Sequence, residues 1–190
     1  MNVRESSDDY PATDRAKAKQ MNKKYITSAV VRLANERLQR LEQIRRSMLA
    51  AIESEREQIL ESNLDLKTND GLLADEYPFL QDAEEMIGGL LIVGLYGVVE
   101  HFTKQLLRHR YPPNKVEQFY RMETLQEALA RDCDVNLSIM PEFAAIDDLR
   151  RRNNAVKHGG LDREPTLEAY ERLQTTVVPY LERIGLIIVP

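Results

Sequence analysis

One cysteine, Cys133, is all this chain has, which excludes an internal disulfide and any multi-cysteine zinc site. The amino terminus, MNVRESSDDY, has no apolar stretch of the kind a secretion signal requires. Long hydrophobic runs are missing as well. The longest, IGGLLIVGLYGVV from Ile87 to Val99, falls short of the roughly 20 residues of a membrane span and has acids close on both sides. These absences predict a cytoplasmic protein with no membrane partner.

Nor is there a surplus of positive charge. A net charge of −5 argues against a general nucleic-acid coating protein, whose surface would be broadly basic. The charge is unevenly spread, however. Residues 63–85 hold seven acids and one lysine, whereas Arg150 to His158 holds four fixed positive charges and no acid. A polyanion is drawn to the second region and repelled by the first. Strand-like alternation, internal repeats and low-complexity tracts are absent, as are a phosphate-cradling glycine loop and a serine triad.

What is present is helical periodicity. Residues 1–25 are polar and broken by Ser6, Ser7, Asp8, Asp9 and Pro11, which predicts a flexible tail. Residues 26–62 form a long amphipathic helix, or arm. Val30, Leu33, Leu38, Leu41, Ile44, Met48, Ala51, Ile52 and Ile59 supply its stripe, and Ile26 to Leu60 contains no Gly or Pro. That stripe needs cover, from the rest of the chain or from a second copy. Residues 63–190 are expected to be a helical bundle. Within it, residues 62–80, with an N-D-G signal and Pro78, read as a loop. The central helix spans about Gln81 to His109, a third runs from Val116 to Ala130, and a fourth from Glu142 to Lys157. A last helix begins at Pro165, with Pro179 perturbing its end and GLIIVP as a short extended cap. The fold class is all-α.

The most unusual stretch is DDLRRRNNAVKHGG, from Asp147 to Gly160. Part of it is an ordinary helix end. Lys157 and His158 complement the negative end of the helix dipole, typically by about 0.3–1 kcal/mol each, and a glycine follows where a left-handed residue closes the helix. The asparagines do not fit that account. Inside a helix each costs roughly 0.6 kcal/mol relative to alanine, so Asn153 and Asn154 in succession imply compensating side-chain contacts. At about 100° per residue, Arg151, Asn154 and His158 share one stripe and Arg152 lies off it. A guanidinium, an amide and an imidazole on one side of a helix end suit binding and altering a phosphodiester.

At this point the sequence resembles the HEPN superfamily, the higher eukaryotes and prokaryotes nucleotide-binding domains. Its signature is an arginine, usually followed by a polar residue, with four to six residues between that arginine and a histidine near a helix end. RNNAVKH, from Arg152 to His158, has five intervening residues, and counting from Arg151 gives six. The preceding IDDLR, the following GG, and LYGVVEHFTK from Leu95 to Lys104 are similar too. The likeness covers about residues 80–185. It implies an up-and-down bundle of four to five helices, paired as a homodimer with the two motif helices facing across a shared cleft. Many members are metal-independent endoribonucleases of toxin–antitoxin, abortive-infection or antiviral defence systems, so the implied partners are an RNA substrate and a cognate antitoxin or regulatory protein. Others keep the fold as non-catalytic binding or dimerisation modules. A structural adaptor using the long helix for assembly is a third reading.

For cleavage, the ribose 2′-OH attacks the adjacent phosphorus and leaves a 2′,3′-cyclic phosphate and a 5′-OH. His158 would move the proton, and Arg152 or Arg151 would hold the phosphate and stabilise charge in the transition state. Asn154 would orient the imidazole or the scissile group, while Arg150, Lys157 and Asn153 would hold flanking RNA. No metal or cofactor is called for. Tyr96 and Glu100 are supporting candidates, Glu100 either fixing a motif arginine or pairing with Lys104. His101 and His109 lack metal-ligand spacing, and the acidic setting RDCDV raises the Cys133 pKa, against a nucleophilic role.

Overall fold

The computed structural model describes residues 12–64, 70–119, 121–159 and 165–190, with the side chains of residues 12–14, 62–64 and 70–77 outside that description. All regular structure among these residues is helical: α1 (Ala12–Leu64), α2 (Asp70–Leu107), α3 (Pro113–Val116), α4 (Met122–Cys133), a 3₁₀ turn (Leu137–Ile139), α5 (Phe143–His158) and α6 (Leu167–Ile188).

Side-chain neighbours give the helix directions. Along α1 and α2, Arg56 meets Glu84 and Arg37 lies over Phe102, so the two run antiparallel. Between α1 and α6, Arg45 meets Glu171 and Thr27 packs on Gly185, again antiparallel. The start of α6 sits on Gly88, while Tyr180 and Thr103 line one small cavity, so α2 and α6 run parallel. Val156 of α5 reaches Gly89, and Arg150 and Asp147 act on Tyr96, which makes α5 antiparallel to α2. The result is an up-and-down four-helix bundle of α1, α2, α5 and α6, with α4 and the 3₁₀ turn packed beside it.

The core is a single apolar cluster. Helix α2 contributes Ile87, Leu91, Ile92, Leu95, Val99, Phe102 and Leu106, and α6 contributes Tyr170, Leu173, Val177, Tyr180, Leu181, Ile184 and Ile188. Each such side chain, fully buried, is worth about 1.5–3 kcal/mol. Pro78–Leu107 of α2 is long and apolar enough to cross a membrane by length and composition alone, and 56% of its most apolar window is buried inside the bundle. Here it serves as the central helix of a core.

Several expectations need correction. Helicity starts at Ala12, well inside the stretch expected to be a flexible tail (residues 1–25), while residues 1–11 lie outside the described set. The long helix packs within the bundle, the first of the two sources of cover left open, since Val30, Val31, Ala34, Leu38 and Ile52 are buried in the common core. Its cover comes from α2 and α6 of the same chain. Leu33 and Ile44, assigned to the buried stripe, are 43% and 50% exposed, whereas Arg45 and Arg56 take seam positions and pair with Glu171 and Glu84.

Of the expected loop at 62–80, residues 62–64 end α1 and residues 70–80 belong to α2, which holds Pro78 inside it, while 65–69 lie outside the described residues. The expected third helix, Val116 to Ala130, is split into α3 and α4. Pro179 does not end α6. The helix continues to Ile188, and GLIIVP is largely helical because Ile184, Ile188 and Val189 are drawn into the core. Pro179 and Thr175 both lie on the exposed face, where water can satisfy the carbonyl that a proline leaves without a donor.

Candidate functional site

Helix α5 is anchored at its start and in its middle. Arg183 of α6 donates Nε and Nη2 to the two Glu142 carboxylate oxygens at 2.9 and 3.0 Å. Ile146 and Leu149 are fully buried. The helix stops at Gly159, whose φ of 68° is left-handed and whose N–H donates to the Ala155 carbonyl. The backbone reading of KHGG as a helix end therefore holds, and it leaves open what the side chains of that end do.

The three arginines are organised by the two aspartates one turn earlier. Arg150 donates to Asp147 Oδ1 at 3.0 Å (Nε) and 2.9 Å (Nη2), and Arg151 reaches Asp147 Oδ2 at 2.8 Å. Arg152 donates Nε to Asp148 Oδ2 at 3.1 Å, and Arg172 from α6 donates to the same oxygen at 2.9 Å. Asp148 is buried, at 8% exposure, so it is a fixed post between α5 and α6. Arg152 has only 17% of its side chain exposed, whereas Arg151 has 55%. Among the described residues, four guanidiniums share these two carboxylates. The aspartates fix the arginines in place. Arg172, 24 residues from Asp148, had no signal in the sequence that could have assigned it to this group.

Beyond the arginines the helix divides. Asn153 is turned inward, at 1% exposure; its amide donates to Asn154 Oδ1 at 3.4 Å, and its own Oδ1 is buried without a partner among the described residues. It cannot reach RNA on the surface, and the role assigned to it there is withdrawn. Asn154, Lys157 and His158 are exposed, as is Arg151, so the stripe drawn from helical spacing lies open to solvent. On the neighbouring side, Val156 packs beside Gly89 of α2, next to the exposed Met86 and Leu90. A groove of about 630 Å³ runs there, lined by Asp82, Glu85, Met86, Leu90, Val156 and Pro165 among others.

The supporting candidates separate. Tyr96 is half-buried beside Glu100, Arg150 and Asp147, with its pKa raised chiefly by burial and further by Glu100. Glu100 pairs with Lys104 at 3.1 Å, the alternative to fixing a motif arginine. His101 lies between Arg37 and Arg108; burial first, and then those two charges, lower its pKa. Its Nε2 is 3.0 Å from Gln105 Nε2. His109 is exposed just past α2. Cys133 has a raised pKa, through burial more than through Asp132, which agrees with an inert thiol. No group of three or more metal-ligating side chains occurs among the described residues.

Comparison with family models, curated proteins and solved structures returns no match for this chain. The α5 site therefore has to be read on its own geometry.

Proposed function

We propose that this protein is a HEPN-like, metal-independent endoribonuclease that acts at a cleft shared by two copies of the chain. One observation carries the reading: the closing turns of α5 expose Arg151, Asn154, Lys157 and His158 together, beside arginines held in place by Asp147 and Asp148. A phosphodiester fits such a surface. The guanidiniums, already oriented by Asp147 and Asp148, attract the phosphate, and fixed donors stabilise developing charge better than mobile ones. The exposed imidazole of His158 is the group suited to proton transfer. One chain brings one such histidine, and separate acid and base roles ask for two, which is the reason for a paired cleft. A cytosolic location and a toxin–antitoxin or antiviral defence setting belong to the same proposal.

A second reading, RNA or nucleotide binding without cleavage, is favoured by Arg152. That arginine opens the motif, yet it is mostly buried and committed to Asp148. Incubating end-labelled single-stranded RNA with wild type and His158→Ala separates the two. The nuclease reading expects products ending in 2′,3′-cyclic phosphate and a loss of about 10²-fold or more in the variant. Tight binding by both proteins with no cleavage by either selects the binding module. Equal cleavage by both removes His158 from the chemistry.

A further inference from the structure

The most apolar helix of the bundle keeps one face in water. Along α2 and just past its end, Phe79, Asp82, Met86, Leu90, Val93, Gly97, Lys104 and Arg108 recur at helical spacing, and all are exposed or half-exposed. Phe79, Met86 and Leu90 are 70%, 69% and 58% exposed. Gly97 is the opposite case: a Cβ placed there meets nothing within 4 Å, so it is a shallow gap in that face. A protruding leucine and an open glycine seven residues apart suit a second copy of the same helix.

Charge sets the direction of pairing. The amino-terminal end of the stripe carries Asp82 and Glu85. The carboxy-terminal end carries Lys104 and Arg108, with Arg37 and Arg40 of α1 beside it; Glu100 and Glu117 offset two of these four. Parallel copies would stack like charges on like. Antiparallel copies related by a two-fold axis lay the acidic end of each on the basic end of the other.

We infer that two copies of this chain pair through antiparallel α2 helices, with Leu90 of each chain seated over Gly97 of the other. The two-fold axis then passes between Val93 and Gly94, Met86 faces His101, and Asp82 approaches Lys104 and Gln105. The same operation turns the α5 flank of each chain toward that of the other. Because α5 runs antiparallel to α2, the two α5 helices also run antiparallel to each other, and the axis passes level with Arg152 of each. The inference deepens the paired-copy element of the proposed function and rests on that element, though not on cleavage.

The test uses the full chain in a Cys133→Ser background. Sedimentation should report a dimer that Leu90→Glu converts to monomer. Because Leu90 is exposed, that variant is expected to keep its fold, and circular dichroism checks this. Mixing Leu90→Cys chains with Gly97→Cys chains under mild oxidation should give a disulfide-linked heterodimer. Neither variant alone should cross-link, since like positions lie roughly 10 Å apart along the axis, beyond disulfide reach. A monomer at all concentrations overturns both the interface and the paired cleft. A dimer that gives no mixed disulfide, or only homotypic ones, overturns this register and leaves the paired cleft standing. Co-pelleting of monomer with phosphatidylcholine vesicles, in place of self-association, assigns the stripe to lipid and overturns the inference. RNA cleavage is scored separately, so loss of activity cannot stand in for any of these results.

Discussion

Asp148 is the residue on which the arginine cluster turns. Its buried carboxylate takes Arg152 from its own helix and Arg172 from α6, so it joins the site to the core. Removing one partner of a buried ion pair leaves charge without compensation. Asp148→Ala is expected to lower stability by about 2–4 kcal/mol, read by urea unfolding. Asp147→Ala, which leaves the more exposed Arg150 and Arg151 unpaired, is expected to cost about 1 kcal/mol or less. Two pH limits also belong to single residues. Burial pushes the phenols of Tyr170 and Tyr180 from 10.0 up to about 12. The folded state holds those protons more tightly, so their contribution is complete below pH 10.0 and lost as pH rises toward 12. Glu42 works in the other direction: hydrogen bonds from Arg45, then Arg46, bring its pKa from 4.5 to about 2. Its contribution is present above 4.5 and fades as pH falls toward 2. A plot of unfolding free energy against pH should bend downward in both windows.

Among the elements, α2 uses its glycines in two unlike ways. A Cβ on Gly88 would lie 2.3 Å from the Pro165 carbonyl oxygen, a backbone atom that cannot swing aside. Gly88→Ala is therefore expected to destabilise by about 1–3 kcal/mol, although alanine is the better helix former. At Gly97, where nothing is near, the propensity gain is unopposed. Gly97→Ala is expected to raise the stability of the dilute chain by about 0.5–1 kcal/mol. Thermal melts at low concentration check both, and the opposite signs are the point of the comparison. Helix α5 was the element best read from its residues, because a one-sided basic stripe and a closing glycine are local signals. Helix α6 was read less well, because a proline on an exposed face breaks a helix only when packing does not hold the next two turns.

For the molecule as a whole, the point left open by the residues is where α1 finds its cover. As an arm it would be separable, but its residues Val30, Val31, Ala34 and Leu38 complete the core over α2 and α6. A chain beginning at residue 63 is expected to lose cooperative melting, measured by circular dichroism, whereas an independent bundle would keep it. RNA affinity also belongs to this scale. Arg151→Ala and Lys157→Ala should each weaken binding and reduce the salt slope by about one, while Asn153→Ala should leave that slope unchanged.

Local order was decided by the sequence itself: apolar residues recurring at spacings of three and four specify helix, and the spacing from Arg151 to His158 put three polar groups on one face. Those are properties of neighbours on one helix, which 3.6 residues per turn dictate without any partner. Tertiary structure decided the rest. Whether Asn153 points in or out depends on which side of α5 meets the bundle, and Arg172 joins Asp148 only because α6 returns along α5. An apolar stripe states that a helix needs cover and not from where. Only the packing of α1 against α2 and α6 within one chain answers that, while the same packing leaves the outer face of α2 in water.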